Sequence, residues 1–433
     1  MFNSEALTKV QSIILVVVIV FALLGAVVVF ILLNEQEPSS ETIKIGLCAD
    51  LDQPSGKAVW QGAVLAAEQV NARGGVLGRN LTIVEEDDDS ENPNVDVNFA
   101  SSAFTKLMTV DEADFIISHM LGLVYREIAS DHRKILFSIA DVADELTQGV
   151  LDDYDRYKYY FRVGSGNQTA ATRGITETLV VCRNHTGFNK IAFLYYFYMG
   201  PLVSSIIDAL DEYGFDVVLS ESIPITVMDF SSYFAKAEEA GAQILYPLIY
   251  GDVELLFVRE YCDRQSPMVI WGSLAIASNS DFWQLTGGKC EHITVVGLPV
   301  VAGYPLTTKT IPTREAYINR WGEAISSGAA AAYDTVRFIL PDAIERAGTI
   351  ETGAVIEALE ETEVETSLAR RFVFTSSHDI MVGEAGPNRP TEDYFLVALF
   401  QWQDGELVPV YPIELMEEAG ASYTFPDWPG PWD

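Results

Sequence analysis

Basic residues are scarce in this chain: 27 Lys and Arg stand against 62 Asp and Glu in 433 residues, for a net charge of −35. Binding to nucleic acid rests on Lys and Arg neutralising phosphates, so this balance excludes it as the main activity. Histidine is scarcer still, and the five residues at 119, 132, 185, 292 and 378 contain no i, i+4 pair, so a histidine-built metal centre has no foundation. Cys48, Cys182, Cys262 and Cys290 include no C-x-x-C pair, which removes the usual zinc spacings. No G-x-S-x-G elbow, Walker loop or G-x-G-x-x-G follows a strand. The expectation is therefore a protein that is not an enzyme and carries no cofactor. What the chain does have is a hydrophobic content of 49% with 21% charged residues, the balance of a folded core under a self-repelling acidic exterior.

Long apolar runs are absent except for one. Residues 13–33, "IILVVVIVFALLGAVVVFILL", carry no charge, and at ~1.5 Å per residue they reach about 30 Å, the thickness of a bilayer core. A cleaved leader is the competing reading, but its apolar region is usually about 7–15 residues long and ends in a small-x-small site. This run is longer and leads into Leu33, Asn34 and Glu35 with no such site. The expectation is a short cytoplasmic N-terminus (1–12), a transmembrane anchor (13–33) and a linker (34–41). Lys9 before the span and Glu35 and Glu37 after it put the bulk of the chain outside the cell membrane as a single-pass protein. The sequons at Asn80, Asn167 and Asn184 agree with that side as glycosylation candidates. Cys262 and Cys290 are the candidate disulfide, whereas Cys48 sits in an apolar strand and reads as a buried thiol.

After the linker, strands alternate with helices. "TIKIGLCADL" reads as a strand and "AVWQGAVLAAEQVNA" as an amphipathic helix. Gly74 and Gly75 then stop the helix, Gly78 permits the turn, and "NLTIVEED" is the next strand. The beat continues through "ADFIIS" and "KILFSIA", and a second series follows with "NKIAFLYYF", "FDVVLSESIP", "AQILYPLIY", "PMVIWGS" and "HITVVGLPVV". Such alternation predicts an α/β fold of two doubly wound parallel-sheet lobes. Long helices, "TREAYINRWGEAIS" and "AAAAYDTVRFILPDAIERAG", come late. They are followed by a strand "RRFVFTSS" and a hairpin turning at "QDGE". A chain that fills one lobe, then the other, and then revisits both is joined by a multi-strand hinge. The boundaries read as 42–163 and 300–371 for lobe 1, 164–299 and 372–413 for lobe 2, and a Pro- and aromatic-rich tail at 414–433.

The stretch "IKIGLCADLDQPSGKAVWQGAVLAAEQVNARGGVLGRNLTIVEEDD" resembles the start of the type I periplasmic binding proteins of the branched-chain amino acid (Leu/Ile/Val) group, the substrate receptors of ABC importers. "KILFSIADVADELT", "YFRVGSGNQTAA", "AAAAYDTVRFILPDAIERAG", "HDIMVG" and "FQWQDGELVPVYP" extend the resemblance to about Pro412. It implies a small organic ligand in a cleft between the lobes, with an ABC permease and its ATPase as partners. A ligand-sensing receptor that signals through a membrane partner is the alternative. On the first lobe the resemblance implies site residues in "SHMLGLVY" (His119, Leu121, Gly122 and Tyr125) and in "SIADVADELT" (Ala140, Asp141 and Val142). Gly122 and Val142 stand where the family carries hydroxyl side chains that grip a carboxylate, and Asp141 would repel that carboxylate if it pointed inward. On the second lobe it implies Tyr198, Tyr250, Ser273 and Leu274, with no acid in 271–274 to pair an ammonium.

Two further stretches read as structural. "EEDDDSEN" (85–92) lacks the spacing of a calcium loop and reads as a solvated acidic turn. His378 and Asp379 match the family's late-strand motif, which assigns them no chemistry. The tail "YTFPDWPGPWD" packs on a lobe or hangs free.

Overall fold

The two glycines after the first helix set up the architecture. In the computed structural model, which describes residues 42–432 except 93, 165, 252, 280–281 and 383–397, Gly74 and Gly75 take φ of +103° and +74°, and Gly78 takes +73°. A Cβ on Gly75 would collide with the carbonyl oxygen of Arg79, so the turn requires glycine there. The chain thus reverses from the helix Pro54–Asn71 into a strand beside the one it came from. This lays down β1 (Ile43–Ala49) and β2 (Leu81–Asp87) in parallel.

The first lobe adds β3 (Phe115–Ser118), β4 (Ile135–Ser138) and β5 (Tyr160–Arg162), giving a parallel sheet in the order β2-β1-β3-β4-β5. The second lobe contains β6 (Lys190–Tyr196), β7 (Asp216–Ile223), β8 (Ile244–Leu248), β9 (Val269–Gly272) and β10 (Thr294–Gly297). A short antiparallel pair, β11 (Glu363–Val364) and β12 (Phe372–Val373), precedes the final hairpin of β13 (Ala398–Gln403) and β14 (Glu406–Tyr411). That hairpin extends the second sheet to β14-β13-β10-β9-β8-β6-β7. Asp404 and Gly405 both take positive φ at its turn, as a two-residue hairpin connection demands.

The late helices return to the first lobe. The helix Ser327–Asp334 lies on the helix Pro54–Asn71, and the backbones approach so closely that a Cβ on Gly62 would collide with the Ala329 carbonyl. The chain then runs through a π-helical segment, Thr335–Ile339, into Leu340–Ala347. Pro341, which lacks the N–H that an α-helix needs, stands just past the π segment.

Several expectations change. "RRFVFTSS" forms only the two-residue β12. Phe372, Phe374 and Ile380 are buried in the first-lobe core with Phe137 and Phe161, so lobe 1 extends through residue 382 and the boundary at 371 falls too early. All four cysteines are free. Cys290 is fully buried in the second-lobe core and Cys262 is half-buried on the helix Val253–Arg264, so the expected 262–290 disulfide is not formed. Asn80 and Asn184 are exposed, but the Asn167 side chain caps the helix Gln168–Thr186 by accepting from the Ala170 N–H at 2.7 Å. The tail packs on the second lobe, with Tyr423, Phe425 and Trp432 against one core cluster and Trp428 against the other. The N-terminus, anchor and linker expected over 1–41 lie outside the described residues. Among the described residues, no helix is long and apolar enough to cross a membrane.

Candidate functional site

In open parallel sheets the strand carboxyl ends turn into loops whose polar groups point away from the sheet, and ligands bind there. On the first lobe the loops after β1, β2, β3 and β4 form this edge. The acidic stretch after β2 is not a free solvated turn. Asp87 Oδ1 accepts from the Leu51 N–H at 2.9 Å, Asp88 is fully buried and accepts from the Tyr125 hydroxyl at 2.8 Å, and Asp50 Oδ2 accepts from the Glu91 N–H at 3.2 Å. Glu91 also takes the Ser55 hydroxyl and stands 3.4 Å from His119 Nδ1. Burial pushes the Glu91 carboxyl up, but the His119 and Ser55 contacts outweigh it and hold the group below its usual range. Burial pushes the Asp50 carboxyl up.

The loops after β3 and β4 carry the residues that the sequence singled out. Leu121, at φ +61°, turns the chain into the helix Gly122–His132. Asp141 lies across its start: Oδ1 accepts from the Gly122 N–H at 2.9 Å and Oδ2 from the Ser138 hydroxyl at 2.7 Å. Burial pushes the Asp141 carboxyl up, and these two donors pull the other way. Ala140 donates its N–H to the His119 carbonyl, joining the two loops, and the Val142 side chain is exposed. Tyr125 differs from expectation. It is fully buried, with its ring stacked on Phe104 at 4.1 Å and its hydroxyl on Asp88, because the helix turns that face inward.

On the second lobe the edge is aromatic. Tyr198, half-exposed after β6, stands 5.8 Å from the Tyr196 ring, and the Tyr196 hydroxyl donates to the Tyr250 carbonyl at 3.4 Å. Burial pushes the Tyr250 hydroxyl up to about 12, with the Ser273 hydroxyl pulling down. Leu274 is fully buried in the second-lobe core, so it lines no edge. The sequence reading missed Glu254. Its side chain, from the helix after β8, reaches over the loop after β9. Oε1 accepts from the N–H groups of Gly251 (3.2 Å) and Ala275 (3.1 Å), and Oε2 from Ile276 (3.0 Å) and Ala277 (3.3 Å). The only sequence signal was an acid in the first turn of that helix.

His378 and Asp379 are buried at the end of the first lobe's returning segment. His378 stacks on Phe161 at 4.1 Å and contacts Glu360 at 3.0 Å, while Asp379 pairs with the buried Arg162 at 3.0 Å. Among the described residues no cluster of three His, Cys, Asp or Glu could hold a metal ion. A separate groove of about 350 Å³ is lined by Asp144, Gln168, Thr172, Arg173, Ser205 and Glu212 among others, none of them a residue that the sequence assigned to the ligand.

A family model described as "Periplasmic binding protein" matches residues 42–387. The "Leu/Ile/Val-binding protein homolog 7" of Brucella abortus is 25% identical over 395 residues, covering 87% of this chain and 92% of that protein. Among solved structures, a putative branched-chain amino acid ABC transporter from Silicibacter pomeroyi superposes with a TM-score of 0.77 at 22% identity, covering 90% of this chain and 100% of that one. A solute binding protein from R. palustris, in complex with benzoate, superposes with a TM-score of 0.66 at 16% identity over 86% of this chain and 96% of that one. The branched-chain amino acid transporter substrate binding protein of Streptococcus pneumoniae, in complex with isoleucine, gives 0.67 at 19% identity over 85% of this chain and 100% of that one.

Proposed function

Because the chain belongs to the periplasmic binding protein family, matched over residues 42–387, we propose that it is the extracytoplasmic solute-binding receptor of an ABC importer. It takes a small organic solute, an amino acid, amide or related compound, between its two lobes and delivers it to a permease driven by an ATPase. The apolar run 13–33 holds it to the membrane. The observation that carries this reading is the pair of loop-built sheet edges, polar on lobe 1 and aromatic on lobe 2, on a chain that crosses between lobes more than once. Such a connection permits hinge closure around a ligand. Lobe 1 contributes the loops holding His119, Leu121, Gly122, Ala140, Asp141 and Val142, and lobe 2 contributes Tyr198, Tyr250 and Ser273.

The test pairs two measurements on one protein. A bound solute raises the melting temperature by mass action, about 2.7 kcal/mol of stabilisation at a hundredfold excess over Kd, and shrinks the radius of gyration in solution scattering. A solute that stabilises the protein and leaves the radius unchanged counts against closure. The N-terminal run is checked by membrane retention after a high-salt wash, and soluble protein beginning near Glu35 would show cleavage instead.

A further inference from the structure

The start of a helix, with its free N–H groups and positive dipole end, is where a carboxylate is received. On the first lobe that place is taken. Asp141 bonds the first amide of the 11-residue helix Gly122–His132 at 2.9 Å and the Ser138 hydroxyl at 2.7 Å. The position beneath it matches: a Cβ on residue 122 would sit 2.6 Å from Asp141 Oδ2 and 2.7 Å from its Cγ. Glycine at 122 and aspartate at 141 fit as a pair, and any side chain at 122 would displace the carboxyl group. The second lobe repeats the pattern with other residues. Four backbone amides, at 251, 275, 276 and 277, are taken by the internal carboxyl group of Glu254.

We infer that the ligand carries no carboxylate, and is a small molecule with an apolar body and an N–H donor, amide or ammonium, at its polar end. This rests on the receptor reading above and narrows its ligand class. A ligand carboxylate received at this helix start would lie against Asp141, which already takes the Gly122 amide, placing like charges in contact where water is thinned out. A donor meets acceptors instead. Each Asp141 oxygen accepts one bond of the two it can take, and the Asp50 and Glu91 carboxyl groups stand on the adjoining loop. The body has apolar surface to cover at the same strand ends: Met120, Leu123 and Val142 are exposed on lobe 1, as are Phe197 and Tyr198 on lobe 2. The aromatic faces also suit an ammonium.

The experiment is a thermal-shift titration of the full chain in detergent with two matched series. One shares an isobutyl body: leucine, isovalerate, leucinamide, isovaleramide and isoamylamine. The other shares a phenyl ring: benzoate, benzamide and benzylamine. In at least one series the carboxylate-free members are expected to bind at least about tenfold more tightly than the carboxylates, with the neutral amide and the amine separating the two kinds of donor. In the Asp141→Ala, Gly122→Ser double variant, the carboxylates are expected to gain by a similar factor. If that variant does not fold, the ranking on the unaltered protein still decides. Tighter binding of leucine, isovalerate or benzoate than of their carboxylate-free counterparts overturns this inference alone. Silence of every compound in both proteins, with no compaction in scattering, counts against the receptor reading and takes this inference with it.

Discussion

Glu254 is a buried carboxyl group with four amide donors on its oxygens and no cation among these contacts. Burial pushes it up to about 8 from an ordinary 4.5, with the four N–H groups pulling down. Because the folded value is raised, the folded protein binds this proton more tightly than the unfolded chain does. The stabilisation is complete below about pH 4.5 and is lost as pH rises through about 8. Comparing the protein with Glu254→Gln by calorimetry from pH 5 to 9 isolates the effect, since glutamine does not titrate. The unaltered protein is expected to lose on the order of 3 kcal/mol more than the variant across that window. Parallel curves would mean that Glu254 does not titrate there. The variant itself is expected to start about 1–3 kcal/mol less stable, because an NH2 group replaces an acceptor facing amides. At this scale the sequence was legible where a residue type was out of place, as at Gly122 and Asp141. It was opaque where the answer was a direction. Tyr125 and Leu274 lie on strand-end segments, yet packing turns both inward, and nothing local says that Glu254 reaches across to the next loop.

Elements were more legible, because periodicity reports burial directly. The parallel strands of both sheets fall where apolar runs alternate with amphipathic stretches, and the glycine punctuation places the turn between the first helix and β2. What periodicity cannot report is how near a second element comes. Gly62 and Gly174 both lie inside helices, and by propensity alone alanine should stabilise each by about 1 kcal/mol. The structure gives opposite signs. A Cβ at 62 would strike the backbone of the helix Ser327–Asp334, whereas a Cβ at 174 would meet nothing within 4 Å. Urea unfolding is expected to show Gly62→Ala destabilised by about 1–3 kcal/mol and Gly174→Ala stabilised by roughly 0.5–1 kcal/mol. A stabilised Gly62→Ala would refute the close approach of these helices.

At the scale of the whole molecule, the first crossover was legible and the later one was not. The chain leaves lobe 1 just after β5, and the next helix, Gln168–Thr186, packs in the second lobe. The sequence reading puts the later boundary at 371, within the stretch "RRFVFTSS". Long-range pairing decides otherwise. Arg162, fully buried at the end of β5, donates to Asp379 at 3.0 Å and to the Ala143 carbonyl at 2.6 Å, and its own N–H bonds the His378 carbonyl. Burial pushes the Asp379 carboxyl up to about 6, with the Arg162 charge holding it down. This pair, 217 residues apart in sequence, ties the returning segment to the last strand before the first crossover, and no local pattern could reveal it. Removing one partner strands a buried charge, so Arg162→Met and Asp379→Leu are each expected to cost roughly 3–5 kcal/mol, whereas the double variant, apolar on both sides, should cost clearly less than their sum. Equilibrium urea unfolding of the four proteins measures this. Additive losses would mean that the two residues do not act as a pair, and that the returning segment is held to lobe 1 by its other contacts, among them buried Phe372, Phe374 and Ile380 and the stacking of His378 on Phe161.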